Sequence, residues 1–140
     1  MSGSDGIEIG REILAQIEEQ ARAEAPNEAC GYLAGSDGRA RIAIRLTNVD
    51  ASPEHFSMSP KEQFAALKRA RAEGLDILAV YHSHPATPAR MSAEDIRLAN
   101  DPDMLYVIYS LAEGRVKGFR VTKEKQVREV GLRLTEGAVK

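Results

Sequence analysis

Apolar residues recur along this chain with two different periods, and the switches between them divide it into elements. Ile13, Leu14, Ile17 and Ala21 recur at helical spacing among Glu18, Glu19, Gln20 and Arg22. That pattern predicts an amphipathic helix from about Arg11 to Ala25, stopped by Pro26. Ile7 to Ile9, just before it, reads as a short strand. Cys30 to Ala34 reads as a strand, Ser36-Asp37-Gly38 as a turn, and Ala40 to Leu46 alternates like a paired strand. Thr47 to Pro60 has neither period and is rich in Asn, Asp, Ser and Pro. Pro60 then opens a helix to about Glu73, ended by Gly74, with Phe64, Leu67 and Ala70 on its inner face. Asp76 to Ser83 is apolar and partly β-branched, which predicts a buried strand. A helix from about Ala93 to Asn100 follows, then a strand from Met104 to Leu111, a turn over Ala112 to Arg115, and a partner strand from Val116 to Thr122. Gln126 to Leu134 alternates as a last, edge strand. Helices interleave with strands joined by short turns, so the expected class is α/β (α+β), a mixed sheet with helices against it.

Length and charge narrow the classes of function. At 140 residues the chain is expected to form one domain, over about residues 7–135, between short flexible tails at 1–6 and 136–140. Nineteen basic and 21 acidic residues are interspersed, and no basic run alternates with aromatics, which argues against a nucleic-acid partner. No apolar stretch approaches the roughly 20 residues of a membrane span. The first six residues lack the basic and apolar regions of a signal peptide. Cys30 is the single cysteine, so no intrachain disulfide can form, which fits a reducing cytoplasm.

The chemistry concentrates in one segment. The chain has only three histidines, and two of them, His82 and His84, follow the predicted buried strand, two residues apart. Residues i and i+2 of a strand share a face, so the two imidazoles lie side by side and Ser83 points away. Imidazole is a strong ligand for zinc, and a carboxylate can complete a three-ligand site. Asp95 is the nearest candidate. Three protein ligands leave a position for water, the arrangement of a catalytic rather than a structural zinc. Ser92-Ala93-Glu94-Asp95 also has a plain reading as a helix start, with Ser92 as N-cap and acidic residues in the first turn. The two readings are compatible, because a capped helix start holds Asp95 rigidly.

His82-Ser83-His84-Pro85, then six residues, then Ser92-x-x-Asp95 resembles the signature of the JAMM/MPN+ zinc metalloproteases. The family's upstream glutamate, in a Glu-x-Cys-Gly context, is matched by Glu28-Ala29-Cys30-Gly31. The resemblance runs from about Ile7 to about Val121. It implies a curved, largely antiparallel sheet flanked by helices, in a layout like that of cytidine deaminases. It also implies one catalytic zinc per chain on His82, His84 and Asp95, with Glu28 as general base and Ser92 as donor to the oxyanion. Without the histidine motif, Glu28 would read as a solvated loop carboxylate. A zinc deaminase is disfavoured, because no Pro-Cys-x-x-Cys is present.

With little room between His84 and Ser92 for inserted segments, the chain resembles the compact prokaryotic branch. That branch is associated with small ubiquitin-like β-grasp sulfur carriers of the ThiS/MoaD type, and the implied reaction is hydrolysis after the carrier's C-terminal Gly-Gly. Two alternatives stay open: a deubiquitinase-like isopeptidase on another substrate, and a non-catalytic MPN scaffold, for which a degraded metal motif is expected. Cys30 reads as a small buried residue or as a fourth ligand. His55 reads as loop packing or as the edge of a substrate groove. Tyr81 and Tyr106 are expected in core strands.

Overall fold

A computed structural model describes residues 6–136. The expected tails lie outside the described residues except for Gly6, which is buried, and Glu136, whose carboxylate pairs with Arg11. Among the described residues, eight strands form one sheet: β1 (Glu8–Gly10), β2 (Cys30–Ser36), β3 (Arg39–Leu46), β4 (Asp76–His84), β5 (Leu105–Ser110), β6 (Arg115–Val121), β7 (Val127–Val130) and β8 (Arg133–Thr135). Three helices are set among them: α1 (Arg11–Glu24), α2 (Pro60–Ala72) and α3 (Ala93–Leu98). The order across the sheet is β7-β6-β5-β4-β2-β3-β1-β8. Pairing is antiparallel except at β4–β5, β1–β3 and β1–β8. The mixed, largely antiparallel sheet with flanking helices is the class expected.

Local chemistry accounts for the boundaries. Asp37 and Gly38, both at positive φ (55° and 73°), make the tight turn between β2 and β3. Ser59 caps α2 by accepting the Glu62 N–H at 3.1 Å, Pro60 occupies the first turn, and Gly74 leaves the helix at φ 74°. The sheet has two faces with separate cores. On one, α1 buries Ile13, Ile17 and Ala21 against Leu33, Ala79, Tyr81 and Val107. On the other, α2 covers Cys30, Ala34, Ile44 and Leu46. Gly31 is required by this packing: a Cβ there would collide with the Tyr81 ring and the Ile44 carbonyl. The space it leaves lets the buried Tyr81 hydroxyl donate to Gln20 Oε1 at 2.5 Å. No helix among the described residues is long and apolar enough to cross a membrane.

Two expectations need correction. The last strand, read as continuous over Gln126 to Leu134, is broken at Gly131-Leu132. Its halves join opposite ends of the sheet: β7 pairs with β6 and β8 with β1. A two-residue link can join both ends only because the sheet curls round α1. The pattern of polar and apolar residues does not mark the break, because both pieces are largely exposed and only Val130 is buried. On α2, Ala70 faces the sheet as expected, but Phe64 and Leu67 are 64% and 43% exposed, and Ala66 is buried in their place. Small residues let the helix axis approach the sheet closely, which rotates the larger side chains outward. Lys68 lies 5.7 Å from the Phe64 ring centre.

Candidate active site

The end of β4 carries His82 and His84, both 2% exposed, on the face opposite α1. Neighbouring strands fix their surroundings. Cys30 lies opposite His82 on β2, while Ile108 and Ser110 lie beside His82 and His84 on β5. Ser83 faces away, as its position between the histidines requires, and its Oγ accepts the Ala29 N–H at 2.8 Å. The Phe56 ring packs on His82 with centroids 4.7 Å apart. His84 Nδ1 lies 2.8 Å from the Pro88 carbonyl, which can only accept, so Nδ1 carries a proton. In the neutral ring that leaves the Nε2 lone pair free, the form a metal needs.

Asp95 comes from α3, and both ends of this six-residue helix are tied down. At its start, Ser92 and Asp95 form a reciprocal capping box: the Ser92 hydroxyl accepts the Asp95 N–H, and Asp95 Oδ2 accepts the Ser92 N–H, each at 3.0 Å. At its end, the Lys125 ammonium donates to the carbonyls of Arg97 and Ala99 at 3.2 and 2.7 Å and to Asn100 Oδ1 at 2.9 Å. Those contacts satisfy carbonyls that a helix end otherwise leaves orphaned.

These supports bring three ligand atoms to one point. His82 Nε2 and His84 Nε2 are 3.2 Å apart, and Asp95 Oδ2 lies 3.3 and 3.0 Å from them. Ligands about 2.0–2.1 Å from a tetrahedral zinc stand roughly 3.3 Å from one another. The triangle therefore has the size of one face of that tetrahedron, and its donor set fits zinc. Glu28 is a looser neighbour, with a carboxylate oxygen within 4.8 Å of the ligand nitrogens of both histidines. Its Oε1 is buried and finds no hydrogen-bond partner among the described residues. A buried acceptor without a partner is costly and marks a place where a ligand or proton belongs.

Electrostatics separates the carboxylates. Burial pushes Glu28 up to about 8, with the charges of Asp95 and Glu54 adding to the rise and His84 opposing it. Burial also opposes ionisation of Asp95, but hydrogen bonds with His82 and His84 outweigh it and hold the carboxyl well below the usual range. Burial lowers His82 and wins there, whereas at His84 the bonds to Asp95 and Pro88 outweigh burial and raise it. Two carboxyls in one site thus have opposite proton affinities, the arrangement that lets one exchange a proton while the other stays charged.

A cleft of about 300 Å³ opens beside His82 and Asp95. Tyr32, Val80 and Tyr106 line it from the sheet, Phe56 and Met58 from the loop before α2, and Met91 and Leu98 from around α3. His55 also lines it, its Nδ1 3.1 Å from Asp50, so it stands at the edge of the groove. Tyr106, expected in the core, is half-buried at this cleft. Cys30 is fully buried among apolar residues, its thiol directed to the Leu46 carbonyl at 3.7 Å and pushed by burial up to about 12. It stands clear of the ligand triangle. Sequence reading offered the loop from Ser52 to Met58 as a groove edge, which it is, but gave Phe56 and Met58 no role of their own and missed Asn48, because the segment has no periodicity.

Comparison with known proteins agrees with this geometry. Residues 10–122 match a family model described as prokaryotic homologs of the JAB domain. A CysO-cysteine peptidase of Mycobacterium tuberculosis is 35% identical over 104 residues, covering 73% of this chain and 71% of the relative. A desampylase of Haloferax volcanii is 34% identical over 116 residues, covering 81% and 83%. A protein of Desulfitobacterium hafniense with a known solution structure superposes with a TM-score of 0.85 at 45% identity, covering 93% of each chain. The fold is also that of solved JAB1/MPN-domain proteins. With most of its length inside the family match and its histidines and acids grouped as the motif requires, the chain belongs to the prokaryotic JAB-domain family, a branch of the JAMM/MPN+ peptidases.

Proposed function

We propose that this chain is a zinc-dependent peptidase that hydrolyses the bond following the C-terminal Gly-Gly of a ubiquitin-like β-grasp protein. The observation that carries this reading is the pairing of a zinc-sized triangle, His82, His84 and Asp95, with a buried, unpartnered carboxyl at Glu28. A scaffold has no use for such a costly group. The names of the relatives, a CysO-cysteine peptidase and a desampylase, support peptidase action on ubiquitin-like conjugates. A single domain over residues 7–135 carries the whole reaction, and its one thiol, buried and free, suits the cytoplasm.

Zinc held by the triangle supplies Lewis acidity for water activation and carbonyl polarisation. Glu28, outside the triangle, takes the proton of the attacking water and passes it to the leaving amine. Burial raises its proton affinity in the metal-free site, and a cation bound beside it would favour the ionised form that takes the proton. Ser92 accepts from the Asp95 N–H, so its own hydroxyl proton is free to donate to the oxyanion. Asp95, held ionised, keeps the site's negative charge on the ligand side. The cleft lined by Phe56 and Met91 is where the extended Gly-Gly tail would lie.

The test is mass spectrometry of a zinc-loaded reaction on a β-grasp sulfur carrier extended beyond its Gly-Gly. Cleavage directly after the glycines is expected, abolished by chelator and by Glu28→Gln. An intact carrier, with one zinc bound per chain, would exclude this substrate class and direct the search to other isopeptides.

A further inference from the structure

The irregular segment between β3 and α2 is organised around one side chain. Asn48 is 8% exposed, and its carboxamide is fully engaged. Nδ2 donates to the Glu28 carbonyl at 3.0 Å and to the His55 carbonyl at 3.1 Å, with the Ser52 carbonyl farther off at 3.5 Å. Oδ1 accepts the Asp50 N–H at 3.1 Å and the Ser57 N–H at 3.2 Å. Two more backbone bonds close the arrangement: Glu28 N–H to the Ser52 carbonyl at 2.8 Å, and Val49 N–H to the Ser57 carbonyl at 3.0 Å.

The consequence lies in what these bonds join. Glu28 is gripped at both ends of its own backbone by this loop, its carbonyl by Asn48 and its N–H by Ser52. The same carboxamide fixes His55 and Ser57, the residues on either side of Phe56. Phe56 packs on His82 and forms part of the cleft wall. A primary amide has two donors and an acceptor with two lone pairs in one plane, and this site uses all of them. Aspartate is nearly the same size but would set a carboxylate against two carbonyls. Alanine would leave the buried Glu28 carbonyl without this donor and would release the half-buried His55 carbonyl.

We propose that Asn48 is a positioning residue for the reaction, setting Glu28 and the cleft wall His55–Ser57 as one hydrogen-bonded body. The proposal rests on the reading of Glu28 as the general base. Asn48 bonds to the base and the wall and makes no hydrogen bond to a metal ligand; its one link to them is Phe56 packed on His82, and the ligands have separate supports in Pro88, the Ser92 cap and Lys125. A displacement of about 1 Å in a catalytic group can cost on the order of 10²-fold in rate.

The experiment is a double-mutant cycle on the full chain, with zinc affinity measured separately by competition with a chromophoric chelator. Asn48→Ala should bind zinc within about threefold of wild type, lower kcat by about 10²-fold and raise KM, since base and wall shift together. In the Glu28→Gln background, followed to its residual rate over long incubations, adding Asn48→Ala should lower kcat by no more than about twofold, because the group it positions has gone. If Asn48→Ala does not fold by circular dichroism, Asn48→Ser, which keeps a small hydroxyl donor, takes its place in the cycle. An equal further loss of kcat in the Glu28→Gln background, or loss of zinc binding in the single variant, would overturn the positioning role. Undiminished turnover in Glu28→Gln alone would instead overturn the base assignment beneath it, so the two failures are distinct.

Discussion

The two sides of the site, the metal ligands and the base, are built on different plans. The side bearing His82, His84, Ser92 and Asp95 is continuous in sequence: a strand end, a short loop and a capped helix. Its geometry follows from local rules, such as the period of two on β4 and the reciprocal cap of Ser92 and Asp95. The side bearing Glu28 is assembled from remote parts. Glu28 lies just before β2, at a step held by Ser83 of β4 through Ala29 and by Asn48 and Ser52 of the β3–α2 loop. The contiguous side collects ligand atoms 3.0–3.3 Å apart, whereas the assembled side keeps a carboxyl close by but outside that triangle. Holding a metal and moving a proton make different demands. A metal is best held by groups whose spacing cannot drift, and a base must stand near it without joining the ligand set.

Substitutions on the two sides should separate these tasks. The largest effect is expected on the ligand side: His84→Ala should lose both stoichiometric zinc, read by elemental analysis, and all detectable turnover. Glu28→Gln should keep its zinc and lose about 10²–10⁴-fold in kcat. Loss of zinc from Glu28→Gln would make Glu28 a ligand and erase the distinction between the sides.

Ser92→Ala comes next, with about 10²–10³-fold lost in kcat if its hydroxyl serves the oxyanion, and about 1 kcal/mol lost from the helix cap. Unchanged kcat with reduced melting temperature would leave it only the cap.

Stability against pH gives a subtler contrast. Glu28 is raised in the folded state from 4.5 to about 8, so its ionisation opposes folding. The metal-free protein should therefore lose stability from this group as pH rises from about 4.5 towards 8. The loss is on the order of 3 kcal/mol by pH 7. Glu28→Gln abolishes that dependence, so its stability advantage in chelator should widen between pH 5 and 8. A gap that stays constant with pH would refute the burial argument.

The smallest expected effect lies away from the cleft. Phe64→Ala should change stability by less than about 0.5 kcal/mol by denaturant melt, because that ring is exposed. A cost of about 3–5 kcal/mol would return Phe64 to the core, where helical periodicity had placed it.

How much was legible follows the same division. The strand and helix order was readable because each element has its own period, cap or turn, as with Ser59-Pro60 and Asp37-Gly38. The break at Gly131-Leu132 was not readable, since both halves are largely exposed and only the curl of the sheet sends them to opposite edges. The outward turn of Phe64 was not readable either, because it depends on how closely Ala66 and Ala70 let α2 approach the sheet.

The sequence by itself determined the class of fold, the family, and the pairing of His82 with His84 on one face, because strand periodicity and motif spacing act over a few residues. Only the tertiary structure brought Glu28 to the histidines, left its carboxyl buried without a partner, turned Cys30 to the Leu46 carbonyl, and made Asn48 the centre of a loop. Those outcomes depend on burial and on hydrogen bonds between distant segments, and no local pattern of polar and apolar residues encodes them.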